Sequence, residues 1–365
     1  MRSILYDRHG QPDEVLRLVQ TDDPGPPGPG EVLIRVRKRP VHPDDLFFIR
    51  GGVRKSPDDL QISPEPVRTG SAPPWPQGIS PGFEGVGIIE ALGPDLRRAS
   101  GFVPGGRVAF FPVRGAWSEC VRAQAEFVTP VPDDVPDSVA AQMLVNPISA
   151  MLLLRAVEQP GDVGPGKEGP IIQTAAGSAV GRLVTTLALK RGLRMINLVR
   201  TAQGAAVLKA KFPTVPVFTT DDDTWREQVR REAGGGPIQA VLDAVGGALA
   251  YDLVALLADG GTLVSHGALG HGSTPLESLA VTAREISIRG VSIGRWTTTR
   301  TAQERRQDIA AAVELARTDK SPFDIAAEYD LAQVAEAVQH TERAGKIGTV
   351  LLTSEPRMPR ERWIA

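Results

Sequence analysis

The chain has very little cysteine and no long apolar run. Its 365 residues include one cysteine, Cys120, which excludes an internal disulfide and a zinc site built from several cysteines. No apolar run approaches the roughly 20 residues that span a bilayer, and residues 1–18 lack the apolar centre of a secretory signal. We therefore expect a cytoplasmic protein that does not contact a membrane.

An excess of charge of either sign is also missing. The chain carries 41 lysines and arginines against 43 acidic residues, a formal net charge of −2. No global electrostatic field therefore points to nucleic acid or an anionic surface as a partner, and we expect a small-molecule substrate. A hydrophobic content of 41% is enough for a sizeable core, and the length suits two domains.

Short β-type runs dominate the first part of the chain. They include "EVLIRVRKRPV" (31–41), "EGVGIIEALG" (84–93) and "GRVAFFPV" (106–113), separated by proline and glycine turn signals. Such a pattern predicts a β-rich, barrel-like unit. The proline- and serine-rich segment 55–82 is predicted to be a loop, and a loop of this length is either functional or mobile.

From about residue 148 apolar strand patterns alternate with helical patterns. "GPIIQTAA", "RMINLVR" and "GTLVSHGAL" are typical strands, and helical spacing follows each of the first two. This alternation predicts βαβ units in a parallel sheet. The chain closes with a further strand, helix and strand. We therefore predict a doubly wound Rossmann domain over 148–319, inserted into a β-rich domain made of 1–147 and 320–365.

The segment "TAAGSAVGRL" (174–183) joins the first strand of the predicted sheet to its first helix. In doubly wound sheets a dinucleotide places its pyrophosphate at the start of this helix, where small side chains allow close approach. The segment lacks strict G-x-G-x-x-G spacing, and a tightly packed turn without a ligand is the alternative. The predicted cofactor contacts are Ala176, Gly177, Ser178, Ala179, Val180 and Gly181.

Arg200 ends the second strand of this predicted domain and is followed by Thr201. An acidic residue there would bind the ribose hydroxyls of NAD and repel a 2′-phosphate. A guanidinium instead matches a phosphate in charge and geometry. We therefore predict NADPH rather than NADH as the cofactor, bound by Arg200 and Thr201. A solvated arginine at a strand end is the alternative.

The order of a split β-rich domain, an inserted Rossmann domain and a closing "GKIGTVLL" resembles the medium-chain dehydrogenase/reductase superfamily over nearly the whole chain. Several stretches are similar to its zinc-free, mitochondrial-type 2-enoyl thioester reductases, with quinone oxidoreductases as close relatives. They are "PGFEGVGIIEALG", "LVNPISAMLLL", "TAAGSAVG", "INLVR", "VLDAVGG" and "GVSIGRW". The resemblance implies a GroES-like fold for the β-rich domain. It also implies a homodimer, which we expect to form through an edge strand near 286–294.

The zinc-dependent members of this superfamily carry an early cysteine and a Gly-His-Glu sequence. This chain has His42 without a cysteine in the early segment and Phe83 in place of the second histidine. The resemblance therefore implies no metal. The alternative, His42 with Asp44 or Asp45 as ligands, leaves an incomplete set, because a catalytic zinc normally has three protein ligands.

The resembling reductases use a tyrosine whose position falls on Val53 here. Valine neither donates a hydrogen bond nor transfers a proton, which indicates an atypical substrate. His42 is a candidate substitute because an imidazole titrates near the working pH, and a structural histidine is the alternative. Arg50 and Arg54 flank Val53 and are candidates for binding an anionic substrate, or are solvated loop charges.

The resemblance implies further site residues. Asn146 matches an asparagine near the nicotinamide, with helix capping as the alternative, and Trp296 matches a tryptophan bordering the substrate cavity, with a core position as the alternative. The resemblance also implies contacts with the cofactor from Val245, Gly246, Gly267, Ala268, Leu269 and Lys346.

The function predicted from the sequence is an NADPH-dependent, zinc-free oxidoreductase that reduces a C=C bond conjugated to a carbonyl. An NADPH quinone oxidoreductase is the alternative among enzymes, since a planar acceptor requires less control of proton transfer. A cofactor-binding protein with little turnover is the alternative of another class.

Overall fold

The computed structural model describes residues 1–52, 78–96, 101–158, 169–270 and 273–354. Val53, Arg54 and most of the loop predicted over 55–82 lie outside these residues. Two units are present, one formed by Met1–Val145 with Thr297–Ala365 and the other by Asn146–Trp296.

The described strands are β1 (Arg2–Leu5), β2 (Arg17–Gln20), β3 (Glu31–Pro40), β4 (Gly85–Leu92), β5 (Arg107–Phe110), β6 (Cys120–Gln124), β7 (Val128–Pro130), β8 (Ile171–Gln173), β9 (Met195–Val199), β10 (Val217–Thr219), β11 (Ala240–Asp243), β12 (Thr262–Ser265), β13 (Ser287–Gly290), β14 (Ile325–Asp330) and β15 (Thr349–Thr353). The helices are α1 (Pro12–Val15), α2 (Pro43–Ile49), α3 (Asp137–Ala140), α4 (Val145–Val157), α5 (Ala179–Lys190), α6 (Ala202–Lys211), α7 (Trp225–Glu232), α8 (Gly247–Leu256), α9 (Ser278–Ala283), α10 (Ile293–Thr299), α11 (Ala302–Thr318) and α12 (Val334–Glu342).

The first unit is built on a seven-stranded sheet centred on β3. One edge of β3 pairs with β4 along most of its length, and the other edge pairs with β6 and then with β15. The order β14-β15-β3-β4-β5-β7 completes the sheet, with β6 beside β3. β3 alternates apolar and polar positions, and its buried side chains Val32, Ile34 and Val36 enter the core. The predicted β-rich, GroES-like domain is confirmed in this unit.

The second unit is a six-stranded sheet in the order β10-β9-β8-β11-β12-β13, and all five pairings are parallel. Parallel strands that are covered on both faces have mostly apolar sequences. β9 is such a strand, since all five of its residues are buried. The strand order reverses between β8 and β11, which gives the doubly wound topology that the sequence predicted. Ligands of such sheets bind outside the carboxyl ends of the strands at this reversal.

The boundaries of the units differ from the predicted ones mainly after residue 296. The structure assigns α11 to the first unit, whereas the sequence placed 297–319 in the Rossmann domain. Arg305 and Arg317 of α11 form ion pairs with Glu126 and Asp134 of the first unit, at 2.9 Å and 3.5 Å. Helical spacing predicts the helix but not the domain on which it packs.

The strand predicted over 286–294 is shorter in the structure. β13 ends at Gly290, and α10 begins at Ile293. The sequence interpretation was wrong for 291–294 because the short apolar run "VSIG" fits the start of a buried helix as well as the end of a strand.

Candidate functional site

The turn between β8 and α5 combines an open position at Gly177 with a tightly packed one at Gly181. Ser178 is the N-cap of α5, and its hydroxyl accepts a hydrogen bond from the Gly181 amide at 3.0 Å. A Cβ at Gly181 would lie 2.7 Å from the carbonyl oxygens of Ala175 and Ala176, so only glycine fits there. A Cβ at Gly177 would meet nothing closer than 3.9 Å. The turn is therefore open to a ligand at Gly177.

A buried polar cluster lies directly beneath this turn. The Gln173 side-chain amide donates to the Gly181 carbonyl at 3.0 Å, to the Thr185 hydroxyl at 2.6 Å and to Asn197 Oδ1 at 2.7 Å. These three polar side chains are all buried and occupy β8, α5 and β9. These three residues were not predicted from the sequence, although a glutamine and an asparagine within otherwise apolar strands are a visible signal.

Arg182 supports the same turn from inside. Its side chain is 2% exposed, and Nη1 donates to the Gly177 carbonyl at 2.6 Å. A buried guanidinium close to the start of α5 adds positive charge where the helix dipole already favours an anion. Arg182 was not predicted from the sequence, because an arginine at this helical position is typical of the polar side of an amphipathic helix.

Arg200 follows β9 and is exposed, with no ion pair among the described residues. Thr201 is the N-cap of α6 and accepts from the Gly204 amide at 3.3 Å, so its hydroxyl is used in capping. The amide of Asp221, after β10, donates to the Arg200 carbonyl at 3.2 Å. No acidic residue lies near Arg200 in the sequence, whereas the parallel pairing of β9 and β10 brings Asp221 alongside it. That acidic neighbour was missed because 20 intervening residues separate the two positions.

One loop follows β11 and another follows β12, both on the side of the strand reversal opposite β8 and β9. These two loops contain the remaining residues of this unit that were predicted to contact the cofactor. The amides of Leu269 and Gly270 donate to the carbonyls of Ala244 and Val245 at 3.0 Å and 2.8 Å. A Cβ at Gly267 would lie 2.8 Å from the Ala244 carbonyl oxygen, so the loops touch. The structure therefore places these predicted residues together: Val245, Gly246, Gly267, Ala268 and Leu269.

His266 opens the second of these loops. Burial lowers the pKa of its imidazole to about 4, against the raising influence of the Asp243 charge. The ring is therefore neutral at physiological pH.

Asn146 and Trp296 both belong to the second unit and are almost wholly buried. Asn146 lies in the first turn of α4, and within the described part of the chain its Nδ2 has no hydrogen-bond partner. A buried amide without a partner is costly, so this Nδ2 is a candidate donor to a ligand. Trp296 lies in α10 with 2% of its surface exposed, a position that also suits a core residue.

The residues of the second unit fit a dinucleotide with a 2′-phosphate. The turn at Gly177 leaves room for a close backbone approach, the amides at the start of α5 suit an anion, and Arg200 provides an exposed cation at the end of β9. When bound, such a cofactor supplies a hydride to an acceptor.

The first unit contains a cluster of titratable side chains around His42. Its Nε2 lies 2.9 Å from Oε2 of Glu84, and its backbone amide donates to Asp45 Oδ2 at 2.9 Å. The other Glu84 oxygen accepts from the amides of Leu144 and Val145, both at 2.8 Å. The carboxylate thereby satisfies amides at the start of α4 and orients the imidazole at the start of α2.

The cluster shifts the pKa values of its members. Burial alone would lower the pKa of His42, but the hydrogen bond and charge of Glu84, with the charges of Asp45 and Asp44, raise it. Burial raises the pKa of Asp45 to about 7 and also raises that of Asp44. The arrangement of an imidazole oriented by a buried carboxylate is suited to holding and moving a proton. The sequence pointed to His42 but not to Glu84 as its partner, because Glu84 stood out there only as part of a family pattern.

Two further predicted site residues lie in the first unit and are engaged with protein groups. Arg50 pairs with Glu342 at 2.7 Å and donates to Gln11 at 3.0 Å. Lys346 donates to the Gly348 carbonyl at 2.6 Å. Arg50 thus has acidic and polar partners of its own, and Lys346 holds the turn before β15.

The donor set does not fit a catalytic zinc. Across the described ranges no group of three or more His, Cys, Asp or Glu side chains is arranged to hold a metal ion. Cys120 is buried, its thiol lies 3.6 Å from Glu90, and burial raises its pKa to about 12. Such a thiol is a poor metal ligand, because coordination requires the thiolate. In the same part of the chain, no helix has the length and apolar character to cross a bilayer.

Comparisons with known proteins agree with this fold. Residues 28–133 match the alcohol dehydrogenase GroES-like domain, and residues 179–314 match the zinc-binding dehydrogenase family. A mitochondrial enoyl-[acyl-carrier-protein] reductase of Arabidopsis thaliana is 28% identical over 88% of this chain and 80% of its own length.

Two solved structures extend the comparison. A mycobacterial protein complexed with NADPH superposes with a TM-score of 0.78 and 28% identity, covering 97% of this chain and 100% of that chain. A mycobacterial quinone oxidoreductase gives a TM-score of 0.74 at 28% identity with the same coverage. The fold and site define a two-domain oxidoreductase. The chain belongs to the medium-chain dehydrogenase/reductase superfamily.

Proposed function

We propose that the protein is an NADPH-dependent reductase of C=C bonds conjugated to a carbonyl. The observation that carries the proposal is the open turn at Gly177 together with the exposed Arg200 at the end of the neighbouring strand. Small residues admit the pyrophosphate, and the guanidinium matches a 2′-phosphate. The relatedness to enoyl reductases and the NADPH complex of a structural relative support this assignment.

In this proposal Asn146 and Trp296 contribute to binding, and His42 transfers a proton. The amide of Asn146 donates to the cofactor or the substrate carbonyl, and Trp296 borders the substrate. His42, oriented by Glu84, delivers the proton to the α-carbon after the β-carbon has been reduced. This assignment gives His42 the polar role that the family tyrosine performs in related reductases, since Val53 cannot perform it.

The substrate differs from an ordinary enoyl thioester in this proposal. Val53 removes the family tyrosine, and Arg50 is paired with Glu342. Arg50 therefore contributes less charge to an anionic substrate than an unpaired arginine would. Arg54 remains the candidate for that contact.

Stopped-flow spectroscopy tests the function directly. NADPH absorbance is followed against a panel of enones, enoyl thioesters and quinones, with NADH as the control cofactor. The proposal expects NADPH to be consumed with at least one enone or enoyl thioester and with faster turnover than NADH. Tight NADPH binding without oxidation by any acceptor would instead identify a cofactor-binding protein with little turnover.

Quinone reduction is the second candidate. Val53 favours it, because a planar quinone needs less directed proton transfer than an enoyl thioester. The mycobacterial quinone oxidoreductase at 28% identity adds support. Oxidation of NADPH by quinones alone in the same panel would establish this candidate and exclude the first.

We also propose a homodimer formed through the free edge of β13. Among the described strands β13 pairs only with β12, and exposed apolar side chains of this unit include Ile288 and Leu279. An unpaired strand edge flanked by apolar residues suits pairing with a second copy. Light scattering should give twice the mass of one chain, 38.9 kDa, and Ile288→Asp should lower it. A monomer at all concentrations contradicts this.

The cytoplasm is the compartment that we propose. The single buried thiol suits a reducing environment, whereas the relatives compared above include a mitochondrial enzyme. Cell fractionation with compartment markers distinguishes the two, and recovery in the mitochondrial fraction would refute the cytoplasmic assignment.

A further inference from the structure

Asp243, the last residue of β11, is a buried hub at the point where the strand order reverses. Its side chain is 1% exposed and accepts three hydrogen bonds. Thr174 Oγ1 and the Val245 amide donate to Oδ1 at 2.7 Å and 3.0 Å, and the Gly246 amide donates to Oδ2 at 2.9 Å. A buried carboxylate is stable there because donors surround both oxygens.

Thr174 extends this hub toward the turn that precedes α5. Its hydroxyl donates to Asp243 and accepts from the Ala244 amide at 2.9 Å, while its backbone amide donates to the Leu242 carbonyl at 2.9 Å. Ala175, the next residue, begins the turn that leads to Gly177. The Thr174 hydroxyl therefore ties the turn after β8 to the turn after β11.

The backbone of Asp243 extends the hub to β12. The His266 amide donates to the Asp243 carbonyl at 2.9 Å, and the loop that His266 opens is bonded to residues 244 and 245 through Leu269 and Gly270. One residue thus connects the turns that follow β8, β11 and β12. In doubly wound sheets the adenine half of a dinucleotide lies over the β8 and β9 side, and the nicotinamide half lies over the β11 and β12 side.

We propose that Asp243, together with Thr174, is a positioning residue that holds the nicotinamide-side loops, 244–246 and 266–270, at a set distance from the adenine-side turn. This inference rests on the proposed NADPH function. Both halves of the dinucleotide are covalently joined, so a shift between the two sides weakens binding of the whole molecule. Binding of an adenine-side fragment is insensitive to that shift.

The test compares NADPH with 2′,5′-ADP, which contains the adenine side alone. Calorimetry gives the Kd of both ligands for the wild type, Thr174→Val, Thr174→Ser and Asp243→Asn. Valine has the shape of threonine without the hydroxyl, and serine retains the hydroxyl. Arg200→Ala is the converse control, because it removes an adenine-side contact and should weaken both ligands.

The proposal expects Thr174→Val and Asp243→Asn to raise the Kd of NADPH by about 10-fold, because the nicotinamide-side loops are no longer held in register with the adenine-side turn. The Kd of 2′,5′-ADP should change by less than about twofold, and Thr174→Ser should restore NADPH binding. Fluorescence anisotropy of bound NADPH should fall in the two weakened variants, because the nicotinamide is held less firmly. A merely structural role would not separate the two ligands.

Several outcomes overturn the inference. Equal changes for both ligands in Thr174→Val, or no change in either, refute it even if Asp243→Asn does not fold. If the wild type binds NADPH but the ratio of the NADPH Kd to the 2′,5′-ADP Kd is the same in the variants as in the wild type, the inference is refuted. The proposed function then still stands. A wild type that binds neither ligand refutes both.

Discussion

The imidazole Nε2 of His42 lies 2.9 Å from Oε2 of Glu84, a carboxylate whose side chain is fully buried. His42 keeps 13% of its side chain exposed, so one end of the pair reaches solvent and the other is enclosed. The second Glu84 oxygen is held by two backbone amides. The geometry fixes which ring nitrogen faces the carboxylate.

Glu84→Gln should lower the pKa of His42. Burial, the largest influence, lowers this pKa, and the hydrogen bond and charge of Glu84 are the main influences that raise it. Glutamine retains an acceptor for the two amides but removes the charge. If protonated His42 is the proton donor, activity declines above its pKa, and the declining limb of the pH–kcat/KM profile should move to lower pH. Proton NMR of the His42 ring provides an independent titration.

Glu90→Gln is the matched control, since Glu90 is a partly exposed carboxylate that pairs with Arg35. It should leave the profile of the wild type unchanged. An unchanged limb in Glu84→Gln would contradict the proton-donor role of His42.

Arg200→Ala should weaken NADPH binding by about 10- to 100-fold and leave NADH binding almost unchanged. The expected loss is that of a charge-assisted hydrogen bond to phosphate. Fluorescence titration with both cofactors measures the effect. Arg230→Ala removes an equally exposed charge from α7 and should affect neither cofactor. Equal losses for NADPH and NADH would show that Arg200 does not contact the 2′-phosphate.

Asp221→Asn should strengthen NADPH binding. The Asp221 amide donates to the Arg200 carbonyl at 3.2 Å, so Asp221 brings a negative charge to the neighbourhood in which Arg200 would bind a phosphate. Two unit charges roughly 7 Å apart in water interact by about 0.6 kcal/mol, which corresponds to about a threefold gain in affinity. The gain should shrink at high salt. Asp223→Asn serves as the control, and a loss of NADPH affinity in Asp221→Asn would show that this carboxylate binds the ribose.

Asn146→Leu separates a ligand contact from a capping role. The Asn146 Nδ2 lacks a hydrogen-bond partner among the described residues, so its removal should leave the melting temperature unchanged or raise it. If the amide contacts cofactor or substrate, kcat/KM should fall by about 10-fold. A lower melting temperature with unchanged kcat/KM would assign Asn146 to structure alone.

His266→Gln should make the protein less sensitive to acid. Burial lowers the pKa of His266 to about 4, below the unfolded value of about 6.5. The unfolded chain therefore binds the proton more readily, and this contribution to stability is fully present above about pH 6.5 and lost as the pH falls toward 4. The loss amounts to about 3 kcal/mol.

Urea unfolding of His266→Gln and the wild type from pH 4 to pH 7 isolates this contribution. The wild type should lose stability relative to the variant as the pH falls, because glutamine does not titrate. A difference between the two proteins that stays constant with pH would show that the imidazole is not buried in its neutral form.

The fold was largely predictable from the sequence because its signals are local. Apolar runs alternating with helical spacing predict a parallel sheet wherever they occur, and the structure contains that sheet in β8 to β13. Residues 291–294 were assigned wrongly, since four apolar and small residues are too few to establish a period. The domain to which α11 belongs depends on contacts with residues distant in sequence, of which the ion pair of Arg305 with Glu126 is one.

The candidate site was only partly predictable. The small residues of the turn before α5 and the basic Arg200 after β9 lie next to recognisable strand and helix patterns. Both features were therefore predicted from the sequence. Asp221 and Asp243 were not found, because their importance comes from neighbours on other strands. Glu84 has partners 42 and 60 residues away, and no sequence spacing indicates such contacts.

The sequence by itself determined the doubly wound sheet, the β-rich unit that surrounds it in the chain, and the small-residue turn followed by a basic strand end. These features follow from side-chain size, backbone freedom and apolar period, which act between near neighbours along the chain. Only the tertiary structure decided that Glu84 orients His42, that Asp221 lies beside Arg200, and that Asp243 joins three turns. Hydrogen bonds and charges act over a few ångströms in space, and the fold alone determines which distant residues come that close.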